Sequence, residues 1–376
     1  MKLYLKRDFF AEKEHLLAEE GELRATAFRF STGVEALKIG NSRGYFVILP
    51  FQGQQLWDFH FADRDLKMVT TIKEPKPTGD FLETYGGFLY HCGVLCMGVP
   101  DDKHPHHGEL PNHPFDEAYL EIGCDETGSY IAVGGSVTNR VAFTHAYRFS
   151  PRCRLDSGAT TVTVDVKVEN LRSDPMEYMY LCHINFRPMD GARLIDSVPR
   201  DKEHIKVHRV IPESLPETSK QALRSYMDEL ENDPTVMDRV GAEGQCYLPE
   251  ICFTLRYATD RDHRGYTLQY LPGKGGCYVS HPTDVLPYGI RGISRTSHED
   301  AMGMVLPATA EHLGYDYAKE QGQIKYLDAN SSVSFSLELG FLTEKEVKPI
   351  LFKIESLLRE EAVSKSIERK KQATNK

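Results

Sequence analysis

The sequence predicts an all-β protein: a large antiparallel β-sandwich with a few helices, one of them at the C-terminal end. Three observations carry this. Short segments rich in β-branched and aromatic residues recur along the chain, with Gly, Pro, Asn and Asp between them. Within Thr160–Val168 the residues alternate so that Val162, Val164, Val166 and Val168 share one face, the pattern of a strand lying on a core. Strands do not alternate with helices and no Gly-rich dinucleotide fingerprint occurs, which argues against a parallel α/β sheet.

The expected strands begin with Tyr45–Leu49, Tyr130–Val133, Ala142–Phe149 and Thr160–Val168. Glu177–Phe186, Glu250–Tyr257, Thr267–Tyr270, Tyr278–Ser280, Met302–Leu306 and Ser332–Leu339 follow. Gly273-Lys274-Gly275-Gly276 lacks the spaced glycine and the Lys-Ser/Thr pair of a phosphate loop, so it reads as a turn. Two helices are expected. Lys220–Asn232 stops before Asp233-Pro234, inside an insertion between strands. The second runs from Thr343 to Lys371: Thr343-Glu344-Lys345-Glu346 forms a capping box. Val347, Ile350, Leu351, Ile354, Leu357 and Leu358 then recur at helical spacing. The organisation expected is one sandwich domain over residues 1–342, then a helix and basic tail over 343–376.

Composition narrows the function. With 40% hydrophobic and 27% charged residues, the chain has the make-up of an ordinary globule, not of a disordered or fibrous protein. A net charge of −10 argues against a nucleic-acid partner, which needs a clustered basic surface. No apolar run approaches the ~20 residues a bilayer demands, and no membrane partner is expected. Met1–Asp8 has no apolar signal core, so the expected location is the cytoplasm. The eight cysteines include no Cys-x-x-Cys pair. Cys92 and Cys96, beside His91, read as inward-facing free thiols.

The chemistry-bearing residues concentrate first in Pro100–Phe115, where His104, His106, His107 and His113 lie among prolines and polar residues, as in a site-bearing loop. A metal centre of cupin type would use His104, His106 and Glu109. Its Glu belongs four or five residues after the second His, where Leu110 and Pro111 stand, and no metal is expected. Taken singly, His104, His106 and His113 read as solvated surface residues. His107-Gly108 remains as an active-site pair.

That pair is similar to the His-Gly of aldose 1-epimerases, following a Gly-containing segment, here Gly86–Gly93. Val164–Leu171 with Pro175–Phe186 resembles the same superfamily's strand, turn and His-bearing strand. Gln323–Leu327 leading into Ser332–Leu339 resembles its closing strand pair. Together the matches span roughly residues 40 to 342 and place the chain in a divergent, DUF4432-like branch of the aldose 1-epimerase (galactose mutarotase-like) superfamily. The resemblance implies a cofactor-free isomerase that interconverts sugar anomers. A carboxylate takes the proton of the anomeric hydroxyl and a histidine protonates the ring oxygen. Carried over, His183 is the general acid, His107 a second imidazole at the sugar and Asn185 its hydrogen-bond partner.

One departure stands out. The family's glutamate base falls in a stretch that here reads Gly303–Glu311, and Leu306 occupies the glutamate position. Either the base has moved, with Glu311, Glu250 and Asp284 as candidates, or the protein binds a sugar without turning it over. Asp284 is also a candidate contact to the sugar. Arg291 is the candidate for the family's substrate-binding arginine. Trp57, the only tryptophan, is a candidate stacking surface for a sugar face or else a core residue. The partner expected is a monosaccharide; neither its identity nor the oligomeric state is legible.

Overall fold

Alternating burial sorts the strands into two facing sheets. The computed structural model describes residues 1–209, 211, 213, 215–241 and 247–374, without the side chains of 247–250 and 368–374. The smaller sheet has nine strands, in the order Lys2–Tyr4, Glu117–Asp125, Gly128–Val141, His145–Asp156, Thr161–Asn170, Ser332–Leu342, Gly275–Pro282, Arg264–Leu271 and Arg193–Asp196. The larger has thirteen among the described residues. Its main path runs Ile205–His208, Tyr247–Leu255, Tyr288–Arg295, Asp300–Ala308, Met176–Ile184 and Leu89–Val94. It continues through Leu56–Phe61, Gly44–Ile48, Glu35–Asn41, Leu23–Arg29 and His15–Glu20. The pairings among the described residues are antiparallel, so this is the all-β sandwich the sequence predicts.

The valine alternation is the clearest case. Val162, Val164, Val166 and Val168 are all buried while their neighbours are partly exposed. They fill the space between the sheets with Phe149, Leu337 and Leu339. Tyr180, from the larger sheet, closes on Phe149 and Phe335 of the smaller, with ring centroids 6.2 and 5.0 Å apart. Aromatic side chains of this size dominate such a core.

The two expected helices form to within a few residues of their expected bounds, and a short third one is not marked in the sequence. Helix α1 spans Glu217–Asn232 and helix α2 Tyr315–Glu320. Helix α3 spans Glu344–Thr374. Its start carries the glutamate half of the expected box: the Thr343 backbone N–H and hydroxyl both donate to the Glu346 carboxylate, at 2.7 and 2.6 Å. Val347, Ile354 and Leu357 bury its inner face against Leu268 and Tyr278 of the smaller sheet. No helix among the described residues is long and apolar enough to cross a membrane.

Two expected contacts to a sugar belong to the interior instead. Arg291 is fully buried between the sheets, its Nη2 2.6 Å from the equally buried Asp196 and its Nε donating to the Met304 carbonyl at 2.9 Å. Asp196 also accepts from Arg200 at 2.5 Å. A register shift between Ile290 and Gly292 sits beside Arg291, so counting along the sequence does not reveal its face. Trp57 is likewise fully buried, packed with Val34, Ala36, Val47 and Leu49, and leaves no ring face for a ligand.

The larger sheet also lines up a row of residues across six strands. Lys206 pairs with Thr254, Thr254 with Ile290, and Ile290 with Leu306. Leu181 pairs with Ala308, and the register slips by one residue before Phe186 meets Met302, so His183 lies opposite the Val305–Leu306 stretch. His183 then pairs with Tyr90. Because Tyr180 points into the sandwich, alternation sends His183 and its row away from the smaller sheet. That outer face carries the site.

Removing Arg291 leaves Asp196 with one cation fewer in a place sealed from water. Arg291→Ala is expected to lower the unfolding free energy by about 3–5 kcal/mol, measured by urea denaturation; a change near zero contradicts this placement.

Candidate functional site

His107 reaches the outer face from a loop whose backbone is tightly specified. His107 has φ +61° and Gly108 φ +82°. A Cβ at Gly108 would meet the carbonyl oxygens of Cys96 and Gly93 at 2.3 and 2.6 Å, so only glycine fits. A non-glycine residue in the left-handed region costs on the order of 1–3 kcal/mol and tends to occur where function demands it. The conformation is held by hydrogen bonds from His107 N–H to Gly98 O and from Gly93 N–H to His107 O, at 3.0 and 3.1 Å. Glu109 anchors the same loop. Its buried carboxylate accepts the Val94 and Leu95 N–H groups at 2.8 and 3.2 Å and the Tyr147 hydroxyl.

His183 comes from the middle of a strand, and the two imidazoles meet. Their ring centroids are 5.0 Å apart and edge-to-face. His106 stacks on His107 at 4.4 Å. Phe81 covers the pair, 4.9 Å from His107 and 5.8 Å from His183, with Tyr85 at 5.5 Å from His183. Phe81 is positioned by a network on the adjoining turn. Asn112 donates to the Asp80 carbonyl at 3.0 Å and accepts the Thr84 hydroxyl at 3.0 Å; the Tyr90 hydroxyl donates to Thr84 O at 2.7 Å. The Asn185 side chain is near enough to the His183 ring to favour its protonated form, against the larger effect of burial. It also accepts from Tyr85 at 3.2 Å and donates to Gly87 O at 3.1 Å.

Burial sets the charge of this cluster. His183 is 7% exposed and His107 9%. Desolvation takes the His183 imidazole down to about 3, with a further push from His106. His107 is held well below the usual histidine range by burial, then by the neighbouring imidazoles of His183, His106 and His312. Both rings are therefore neutral near pH 7, each offering one donor and one acceptor. Nδ1 of each lacks a hydrogen-bond partner among the described residues. Buried polar atoms are nearly always satisfied, so two unpartnered nitrogens on adjoining rings point to a polar ligand as their missing partner.

The remaining candidates lie elsewhere. Glu311 is buried on the Lys206 side of the sheet, where it accepts from Lys206 Nζ at 2.8 Å and the Tyr317 hydroxyl at 2.9 Å. Burial alone would raise its carboxyl; these two hydrogen bonds take it down instead, which weakens it as a base. His208 Nε2 lies 3.7 Å from Glu311 and 2.7 Å from Thr254 Oγ1, and its ring is 4.7 Å from His312. Asp284 is exposed in the turn after Gly275–Pro282, where it caps Val285 N–H. Glu250 lies in the Tyr247–Leu255 strand, but its side chain is outside the described residues. Phe81, Tyr85, His208 and His312 carry no motif that singles them out in the sequence.

The cupin-like trio does not assemble. His104 pairs with Asp101 at 2.7 Å and stacks on Tyr315, while Glu109 is committed to the backbone of its own loop. Among the described residues, the group with metal-ligand spacing is Asp201, Glu203 and His204. The Lys365 ammonium already sits among them, 2.9, 2.8 and 3.3 Å away.

Comparison with known proteins supplies the context. A family model described as a domain of unknown function (DUF4432) matches residues 31–341. No curated protein matches the sequence. Among solved structures, a candidate aldose 1-epimerase from Klebsiella pneumoniae superposes with TM-score 0.78 at 16% identity, covering 95% of this chain and 96% of its own. A galactose mutarotase-like protein from Clostridium acetobutylicum gives TM-score 0.57 at 14% identity, over 86% of this chain and 99% of its own. One from Lactobacillus casei gives 0.50 at 14%, over 82% and 100%. Identities this low establish the fold, which is galactose mutarotase-like.

The buried imidazoles make the protein acid-sensitive. The His183 pKa in the folded state lies below its value in the unfolded chain, so acid protonates the unfolded chain first. Stability is fully present above about pH 6.5 and lost as pH falls from there toward about 3. Urea denaturation is expected to show a clear loss between pH 7 and 5 that is shallower in His183→Gln. Equal stability at the two pH values contradicts this.

Proposed function

The chain belongs to the DUF4432 family, and on that footing we propose that it binds a free monosaccharide on the outer face of its larger sheet, against His107 and His183. The observation that carries this is the meeting of two neutral imidazoles from distant segments, each with an unsatisfied ring nitrogen, under an aromatic cover. Sugar hydroxyls and the ring oxygen suit such donors and acceptors, and an aromatic face suits the C–H face of a sugar. Phe81 covers both rings, so a ligand enters by displacing the Phe81–Tyr85 turn.

Anomer exchange needs a proton removed from the anomeric hydroxyl and one delivered to the ring oxygen. At the second position the neutral His183 and His107 can donate a hydrogen bond to the ring oxygen, and either delivers a proton only after taking one up. At the first, Leu306 occupies the position where the superfamily resemblance puts a glutamate, in the stretch of neighbouring strand opposite His183, and a leucine takes no proton. No carboxylate is hydrogen-bonded to either imidazole among the described residues. In this reading the protein retains the ring-holding part of a mutarotase site and lacks its base, and it binds without appreciable turnover.

A second reading, epimerase turnover, rests on Glu311. Its loop adjoins that of His107: Val99 N–H donates to His312 O at 2.9 Å, and His107 N–H donates to the adjacent Gly98 O. Glu311 would then act as base from the Lys206 side of the row.

Polarimetry and saturation-transfer NMR on a panel of pentoses, deoxypentoses and hexoses separate the two. The first reading expects wild-type protein to bind a sugar without exceeding the buffer rate. Leu306→Glu should then raise exchange at least about tenfold, within the usual worth of a placed general base, and Leu306→Gln should not. Wild-type turnover abolished by Glu311→Gln selects the second reading. A chain that binds none of these sugars sinks both.

A further inference from the structure

A cavity of about 810 Å3 opens at the far end of the same sheet, bounded by Lys206 and Thr254 of the cross-strand row, by Arg256, Tyr288 and Glu311, and by Leu230 of helix α1. Lys206 stands four strand spacings from His183 along the row, roughly 19 Å at ~4.8 Å per strand. A monosaccharide at the histidines does not reach it. Its volume lies in the range of small-molecule sites, about 300–1,000 Å3.

Pairing off the charged groups in its wall leaves a surplus of one sign. Glu203 is taken by Lys365 at 2.8 Å and Glu311 by Lys206 at 2.8 Å. Glu231 faces Arg209 at 2.9 Å, outside the lining. His204 is held by Asp201 at 2.7 Å. Two cations remain, Lys202 and Arg256, and neither has a carboxylate partner among the described residues. Counted over the lining alone, four Lys and Arg face three Glu, a surplus of one cation, and Asp201 stands just outside it at 2.9 Å from Lys365.

Arg256 is also oriented. Its backbone N–H donates to His204 O at 2.8 Å, which fixes the residue just past the end of the Tyr247–Leu255 strand. Its guanidinium carbon lies 4.6 Å from the centroid of the Tyr288 ring. Stacking of this kind holds the planar fork while leaving its N–H groups free, the arrangement that recognises phosphate or carboxylate through two parallel hydrogen bonds. Thr254 and Tyr288 line the same space, and Leu230 and Pro234 give it an apolar wall.

We infer that this cavity is a second ligand site, taking a small phosphate monoester with its phosphate on Arg256 and Lys202 and its organic part against Tyr288, Leu230 and Pro234. Two unpaired cations match the charge of about −1.5 to −2 that such a group carries near pH 7. The site is independent of sugar binding at His107 and His183. Both cations are exposed, so substituting them leaves the core intact.

Titration of the full chain with inorganic phosphate and with phenyl phosphate, followed calorimetrically and by 31P NMR at low ionic strength, tests this. Saturable binding to one site is expected, tighter for phenyl phosphate. Arg256→Gln should weaken it at least about tenfold, as expected for loss of a charge-assisted pair, and Lys202→Gln should weaken it less. His183→Ala should leave it unchanged, whatever becomes of sugar binding. Benzoate should bind more weakly than phenyl phosphate. The assignment is overturned by absence of saturable phosphate binding, by an Arg256→Gln/Lys202→Gln double variant that binds as wild type, or by benzoate binding as tightly as phenyl phosphate.

Discussion

Everything functional in this protein depends on the two-residue alternation of the strands in its larger sheet. Tyr180 and Arg291 point inward and are consumed by the core, one by aromatic packing, the other by a buried ion pair with Asp196. Their neighbours Leu181 and Ile290 must then face out, and with them the row from Lys206 to Tyr90. The sheet is a ruler: each antiparallel pairing fixes which side chains of distant segments stand beside each other. For this reason His183 comes opposite the Val305–Leu306 stretch, far away along the chain.

Loops complete what the sheet begins. His107 lies on no strand; it is delivered by a segment with consecutive left-handed residues, tied to the Leu89–Val94 strand and its extension by Gly93, Gly98 and Glu109. Phe81 is delivered by a second segment, held through Asn112 and Tyr90. Rigid strands with site-bearing loops are a common division of labour. Its consequence here is a dry cluster in which imidazoles stay neutral and act as hydrogen-bonding groups, not as cations.

The parts of this legible in sequence are those that local pattern encodes. Val162–Val168 announced a half-buried strand, and Thr343 with Glu346 announced a helix start. His107-Gly108 and His183 were visible through resemblance to a family, because glycine after the histidine is sterically required. The edge strand His15–Glu20 was not legible: its side chains are largely exposed and its residues mostly polar or small, so no alternation marks it. Arg291 and Trp57 looked like ligand contacts, since charged and aromatic side chains are common at sites. Only the pairing of Arg291 with Asp196, and the packing around Trp57, show them as core. The partnership of Glu311 with Lys206 and His208 joins segments more than a hundred residues apart and has no local signature.

Leu306 is the residue on which the functional reading turns, and the imidazole nitrogens are where it is most directly read. Long-range 1H–15N correlation of the histidine rings reports tautomer and hydrogen bonding at each nitrogen. Saturation with the sugar that binds is predicted to shift the Nδ1 signals of both His107 and His183 while both rings stay neutral. If a sugar binds and leaves both rings unmoved, or converts His183 to imidazolium at neutral pH, the site described is not the one the protein uses.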